Sequence, residues 1–176
     1  MELLNLVIST QRLLLKPISP QYQEDIFREF TSEIATYLYV NPSPKISDTE
    51  FFIQQSLLEM AEGKNLVLVI LRKDSHEFVG CTGIQEINTK FPKTGLWLKK
   101  SAQGQGYGTE TIHALKLWAE ANLDYEYLKY PVDRKNTASR NIAEKLGGVI
   151  HKAYEYTKLD GRILNIVEYR ILKLSP

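Results

Sequence analysis

One cysteine in 176 residues, Cys81, excludes any intrachain disulfide and any metal site built from cysteines alone. It lies in the apolar run Phe78-Val79-Gly80-Cys81, which suits a small buried side chain better than a reactive thiol. An excess of either charge is also lacking. Lys and Arg total 22 against 21 for Asp and Glu, a formal net charge of +1, so there is no general reason to bind nucleic acid or an anionic membrane surface. No apolar stretch approaches the roughly 18 residues that a membrane helix needs. The apolar start, Met1 to Ile8, has no basic leader and no small-residue cleavage site, so it does not read as a signal peptide and a cytoplasmic protein is expected. The histidines His76, His113 and His151 show no ligand spacing with a carboxylate cluster, and no metal is expected. There is no Gly-x-Ser-x-Gly and no paired Cys/His arrangement to suggest a nucleophilic enzyme side chain.

The composition that remains is ordinary for a folded protein, with 43% hydrophobic and 24% charged residues. A single domain over residues 1–176 is expected, without repeats or low-complexity tracts. Thr10 to Ile18 reads as a first strand, and Ser19 to Tyr39 has the helical period through Ile26, Phe27, Phe30, Ile34 and Leu38. After Asn41-Pro42-Ser43-Pro44, Ser47-Asp48-Thr49-Glu50 offers the N-cap of a second helix that places Phe52, Ile53, Leu57 and Met60 on one face. Leu66 to Leu71 and Phe78 to Ile87 read as a hairpin around Lys73 to His76, and Gly95 to Lys99 as a further strand. A helix follows from Gly106 to Ala121, then a strand from Tyr125 to Val132 and a short helix from Ala138 to Leu146. Val149 to Tyr156 and Ile163 to Leu172 form a last hairpin around Asp160-Gly161. The fold class is therefore mixed α/β, of the α+β kind. It has a mostly antiparallel sheet, helices on both faces and one βαβ crossover in the middle.

That crossover carries the chemistry. Gln103-Gly104-Gln105-Gly106-Tyr107-Gly108-Thr109 runs from the end of a strand into a helix, with three alternating glycines. Glycine reaches positive φ and lets a ligand approach the backbone. The N–H groups of a first helical turn are unpartnered and sit at the positive end of the helix dipole, which suits a pyrophosphate. A tight turn without ligand would leave the same spacing. The P-loop pattern is absent, and the Gly-x-Gly-x-Gly spacing, deep in the chain, does not match a dinucleotide fingerprint.

These residues resemble the Gln/Arg-x-x-Gly-x-Gly/Ala signature of the GNAT superfamily of N-acyltransferases. Asn136-Thr137-Ala138-Ser139 with Glu144-Lys145-Leu146-Gly147 is similar to the pattern of its RimJ/RimL-like branch, as is the opening Thr10-Gln11-Arg12-Leu13-Leu14-Leu15-Lys16. The resemblance spans about Thr10 to Leu172. It implies an acetyl-CoA-dependent enzyme that acetylates a primary amine directly, on a peptide N-terminus or a small molecule, as a monomer or homodimer. It further implies that backbone N–H groups from Gly104 through Thr109, with Gln103 before them, bind the pyrophosphate. Trp97 and Leu98 would pair with the pantetheine, and Asn136 would reach the cofactor as well as capping its helix. Many relatives place a tyrosine where this chain has Ala143, so Ser139 becomes the candidate proton donor to the leaving thiolate. The match fails at the general base. Where many relatives carry an acid the sequence reads Lys93-Thr94-Gly95, and Glu86 is the candidate, with Glu126 and Glu155 as weaker ones. Tyr37, Tyr39 and Asn41 would shape the acceptor side. Polyamine or aminoglycoside acetylation, and a CoA-binding module without catalysis, are the alternative functions.

Overall fold

The apolar run Leu66–Arg72 forms a strand with consecutive buried residues from Leu68 through Leu71, as a strand covered on both faces must. In the computed structural model, which describes residues 2–173, it is the third of eight. The strands are β1 (Ile8–Ser9), β2 (Leu13–Pro17), β3 (Leu66–Arg72), β4 (Phe78–Gln85), β5 (Lys93–Leu98), β6 (Tyr127–Asp133), β7 (Val149–Thr157) and β8 (Ile163–Leu172). Four α-helices join them: α1 (Gln23–Glu29), α2 (Ile46–Ala61), α3 (Tyr107–Asn122) and α4 (Thr137–Lys145). The sheet order is β1-β2-β3-β4-β5-β6-β8-β7. Every neighbouring pair is antiparallel except β5 and β6, which α3 connects. This is the mixed, mostly antiparallel sheet with one crossover that the sequence implies. Among the described residues no helix is long and apolar enough to cross a membrane.

Leu96 and Trp97 separate the two faces. A β-carbon built on Gly108 would stand 2.7 Å from Ile142 Cδ1 and 3.6 Å from Leu96 Cδ1, so α3 and α4 pack closely on the face toward which Leu96 points. Trp97 points the other way, its ring 5.0 Å from Phe30 just after α1 and 5.8 Å from Phe78. α1 and α2 cover that second face.

Three local expectations are corrected. Ser19 to Tyr39 is not one helix: α1 stops at Glu29, and a 3-10 turn resumes only at Ile34–Tyr37. Thr31 Oγ accepts the Ile34 N–H at 3.3 Å, the local competition by which threonine interrupts a helix. The N-cap of α2 is Lys45 rather than Ser47, with Asp48 accepting the Lys45 N–H at 3.1 Å. Its inner face carries Thr49, Ile53, Ser56 and Met60, whereas Phe52 is exposed. In the sheet, the terminal hairpin is seated with β8 between β6 and β7, and the two-residue β1 extends the other edge. Cys81 is buried as expected, and burial pushes its thiol pKa up.

Candidate active site

The glycine segment turns sharply because Gly104 and Gly106 adopt φ of +76° and +79°, where a side chain would strain the backbone. Gly106 is the N-cap of α3 and supplies no side-chain cap. Among the described residues no acceptor takes up the N–H groups of Gly104 through Thr109; the first partnered one is Glu110, bonded to the Gly106 carbonyl at 3.1 Å. Gln103 and Gln105 act locally, their side-chain amides donating to the Leu98 and Ser101 carbonyls at 3.2 Å each. Six unpartnered donors at the positive end of a 16-residue helix form a cradle for an anion. A groove of about 670 Å³ adjoins it, lined by Thr10, Gly106, Thr109, Glu110 and His113 among others.

The start of β2 holds this cradle in shape. Arg12 Nη1 donates to the Gln105 carbonyl at 2.8 Å, and Arg12 Nε donates to Glu110 at 2.7 Å. Glu110 also accepts the Arg12 backbone N–H at 2.8 Å and the Thr10 hydroxyl at 2.6 Å. The guanidinium lies 4.7 Å from the Tyr107 ring centre. Because the peptide is trans, a Gln105 carbonyl held toward Arg12 sends the Gly106 N–H the opposite way. Burial pushes the Glu110 carboxyl up, but its bonds with Thr10 and Arg12 outweigh that and hold it below its usual 4.5. A carboxyl depressed by folding adds stability above its unfolded pKa and loses it as pH falls through the folded value. Wild type should therefore melt above Glu110→Gln at pH 6, and the gap should close as the pH drops below 4.5. A gap that persists at pH 3 would assign Glu110 a role in packing instead.

β5 and β6 meet at one parallel pair only, Lys93 with Lys129. The Lys129 N–H donates to the Pro92 carbonyl at 2.8 Å. Backbone groups two residues apart point to the same side, so the next N–H toward β5 would belong to residue 131, which is proline. Pro131 has no N–H, and the ladder stops there. Beyond it the strands part as a wedge, leaving the outer edge of β5, Trp97 and Leu98 included, without a strand partner.

Ser139 stands on the α4 face beside the point where the strands separate. Its hydroxyl lies 2.9 Å from that of Tyr130, the residue between Lys129 and Pro131. Burial pushes the Tyr130 pKa up to about 12, against a smaller lowering by the Ser139 hydrogen bond. Asn136 caps α4, its Oδ1 accepting the Ser139 N–H at 3.2 Å. Glu144 accepts the Tyr169 hydroxyl proton at 2.6 Å, and Tyr169 accepts from Arg140 Nε at 3.0 Å, which pins α4 to β8. The helix then ends at Gly147, φ +78°.

The opposite face carries the groups around Tyr39. Its hydroxyl lies 2.7 Å from that of Tyr154 on β7, and its ring packs edge-on against Tyr156 at 4.5 Å. Lys93 Nζ is 5.9 Å from the same ring. Glu86 sits just past β4 and is half exposed; Lys129 Nζ donates to its Oε2 at 2.9 Å and holds the carboxyl below its usual range. Asn41 accepts from Arg162 at 3.3 Å, and Tyr37 is exposed. Glu155 points away from the face that Tyr154 and Tyr156 share. No sequence motif marks Tyr130, Tyr154 or Glu168, the last of which lies across from Pro131 on β8.

The sequence model of the acetyltransferase (GNAT) domain matches residues 12–149, from Arg12 through the cradle, the wedge and α4. No curated protein matches the sequence. RimL, a ribosomal L7/L12 alpha-N-protein acetyltransferase solved with coenzyme A, superposes with a TM-score of 0.82 at 18% identity, covering 95% of this chain and 98% of its own. An acetyltransferase from Salmonella typhimurium that modifies the N-terminal serine of L7/L12 has the same score and identity, covering 95% and 99%. A GCN5-related N-acetyltransferase from Brucella melitensis gives 0.79 at 15%, covering 96% and 79%. Identities this low speak for the fold. The domain match takes in most of the sequence, with the cradle, Pro131 and Ser139 though not Tyr154 or Glu168, and the chain belongs to the GNAT acetyltransferase family.

Proposed function

We propose that the protein uses acetyl-CoA to acetylate the α-amine of a protein or peptide directly. The observation that carries this reading is the run of six unpartnered N–H groups, Gly104 to Thr109, ending beside the open edge of β5. A diphosphate fits the cradle, and pantetheine amides fit an extended strand edge at Trp97 and Leu98 that lacks only a partner. Acetyl-CoA supplies the acetyl group as a thioester. The remaining chemistry belongs to the chain's own side chains. Ser139 gives its proton to the departing sulfur, Tyr130 orients Ser139, and Asn136 fixes the first turn of α4 that carries it. Glu86 lies on the acceptor face, as a base must, but with its proton affinity lowered by Lys129.

A peptide acceptor is favoured over a polyamine or aminoglycoside by the charges around Tyr39. Lys93, Lys129 and Lys152 are interspersed there with Glu86 and Glu168, and a polycation would meet like charge. The neighbouring RimL acts on a ribosomal protein N-terminus, and we place this enzyme in the cytoplasm with such acceptors. The test is thiol release from acetyl-CoA across short peptides with free N-termini, polyamines and aminoglycosides. Turnover with peptides alone supports the reading. Turnover confined to polyamines would replace the acceptor, and tight CoA binding without turnover would reduce the protein to a binding module.

A further inference from the structure

We infer that Glu168 is the general base that takes the proton from the acceptor ammonium, an assignment that rests on the acetyltransfer proposed above. Tyr130 pairs with Tyr169 and Pro131 with Glu168 across β6 and β8. Tyr130 and Tyr169 point to α4, so Pro131 and Glu168 point to the other face, the one that carries Tyr39. The Lys129 and Pro131 nitrogens turn toward β5, so Pro131 and Glu168 form a non-hydrogen-bonded pair, the kind in which Cα atoms approach to about 4.5 Å. Glu168 therefore packs against the proline that opens the wedge, one strand from the gap. Ser139 is at the same level on the reverse side of the sheet.

Its environment is that of a group held for a ligand. The side chain is 8% exposed, its nearest cation is Lys152 Nζ at 3.8 Å, and among the described residues it accepts no hydrogen bond. Its carboxylate oxygens keep a narrow opening to solvent, and an ammonium nitrogen arriving there beside Tyr39 supplies the missing donors. Glu86 differs on each count. It is 51% exposed, bonded by Lys129 at 2.9 Å, and set where the strands are still closed. Charged and titratable groups around Glu168 are Lys152 and Tyr154 from β7, Tyr39 from the segment before α2, Lys129 from β6 and Arg170 on its own strand. Burial keeps Tyr39 un-ionised, which leaves Glu168 as the carboxylate there without a hydrogen-bonded cation.

The protons balance. Of three on the ammonium, Glu168 takes one and passes it to water, freeing the lone pair to form the new C–N bond. The C–S bond breaks with its electrons going to sulfur, and Ser139 protonates that sulfur. Ser139 recovers a second proton from the nitrogen, and the third stays on the amide.

The experiment compares Glu168→Gln and Glu86→Gln in the full chain with a peptide acceptor that wild type acetylates. Glu168→Gln should lower kcat about 100-fold or more. Its residual rate should climb about tenfold per pH unit below the α-amine's pKa of roughly 8 and level off above it, as solution rather than the enzyme deprotonates the amine. Coenzyme A affinity by calorimetry should match wild type. The melting temperature should stay level, because among the described residues the Glu168 carboxylate accepts no hydrogen bond that glutamine would lose, and Lys152 is 55% exposed and keeps its water. A loss below threefold, a rate as flat with pH as wild type's, or a melting temperature lowered along with kcat would each overturn the assignment. A larger loss in Glu86→Gln would move the role there. No turnover by wild type on any amine would sink the acetyltransfer itself, and the base with it.

Discussion

Ser139→Ala should lower kcat by about 100-fold or more while leaving the affinity for acetyl-CoA within a factor of two, because proton donation to the leaving thiolate acts only in the transition state. The geometry behind this is the 2.9 Å contact with Tyr130. A phenol that stays protonated to about 12 is a donor at every working pH. When it donates to Ser139 Oγ, the serine's own proton is left to face the wedge. Tyr130→Phe should accordingly cost about tenfold in kcat, an effect of roughly 1.4 kcal/mol, in the range of one neutral hydrogen bond. Pre-steady-state thiol release, set against calorimetric CoA binding, separates these effects from damage to the cofactor site. If Ser139→Ala turns over within threefold of wild type, the donor is a water or another group.

The second large effect is expected far from the acyl group. Arg12→Ala should weaken acetyl-CoA binding at least tenfold, about 1.4 kcal/mol, with kcat at saturation nearly unchanged. Two consequences of the clamp add here. The Gln105 carbonyl loses the guanidinium that orients its peptide, and Glu110, with its side chain 16% exposed, loses the cation that neutralises it beside the cradle. An uncompensated carboxylate in the first turn of α3 repels the diphosphate that the helix dipole attracts. Arg12→Lys should restore little, since an ammonium cannot serve Gln105 and Glu110 together through a planar fork. The effect should shrink when Arg12→Ala is combined with Glu110→Gln, and calorimetry on the double variant measures by how much. Equal loss in the single and double variants would reduce Arg12 to packing against Tyr107.

How much of this was legible beforehand depended on how local each feature is. The cradle was readable because Gly104 to Thr109 forms within one turn, from φ preferences and an uncapped helix start that are properties of that segment alone. The N-cap role of Asn136 was readable for the same reason. Tyr130 and Glu168 were not. In Ile163 to Leu172 residues are buried on both faces, so alternation does not say which side chains face the cleft, and in Tyr127 to Val132 the buried Leu128, Tyr130 and Val132 share one face and read as packing. Their facing follows from β8 lying between β6 and β7, a pairing across the whole terminal hairpin. The part Pro131 plays depends on the direction of the Lys129 N–H, which sets the partner that the proline denies. The broken helix after Glu29 is the opposite case, in which a local threonine bond overrode a sound periodic signal.

The single backbone pair between β5 and β6 also has a mechanical meaning. Five strands on one side and three on the other are each joined by antiparallel ladders, but the seam between them holds one strand pair, preceded by the Glu126 N–H on the Lys90 carbonyl at 3.0 Å, and is then spanned by α3. Twist and spacing across that seam are therefore governed by how α3 beds against α4 through Gly108 and Ile142, not by strand pairing. A molecule lying along the open edge of β5 becomes a structural member of the sheet, closing a ladder that Pro131 leaves unfinished. Occupancy and rigidity of the two halves then rise and fall together.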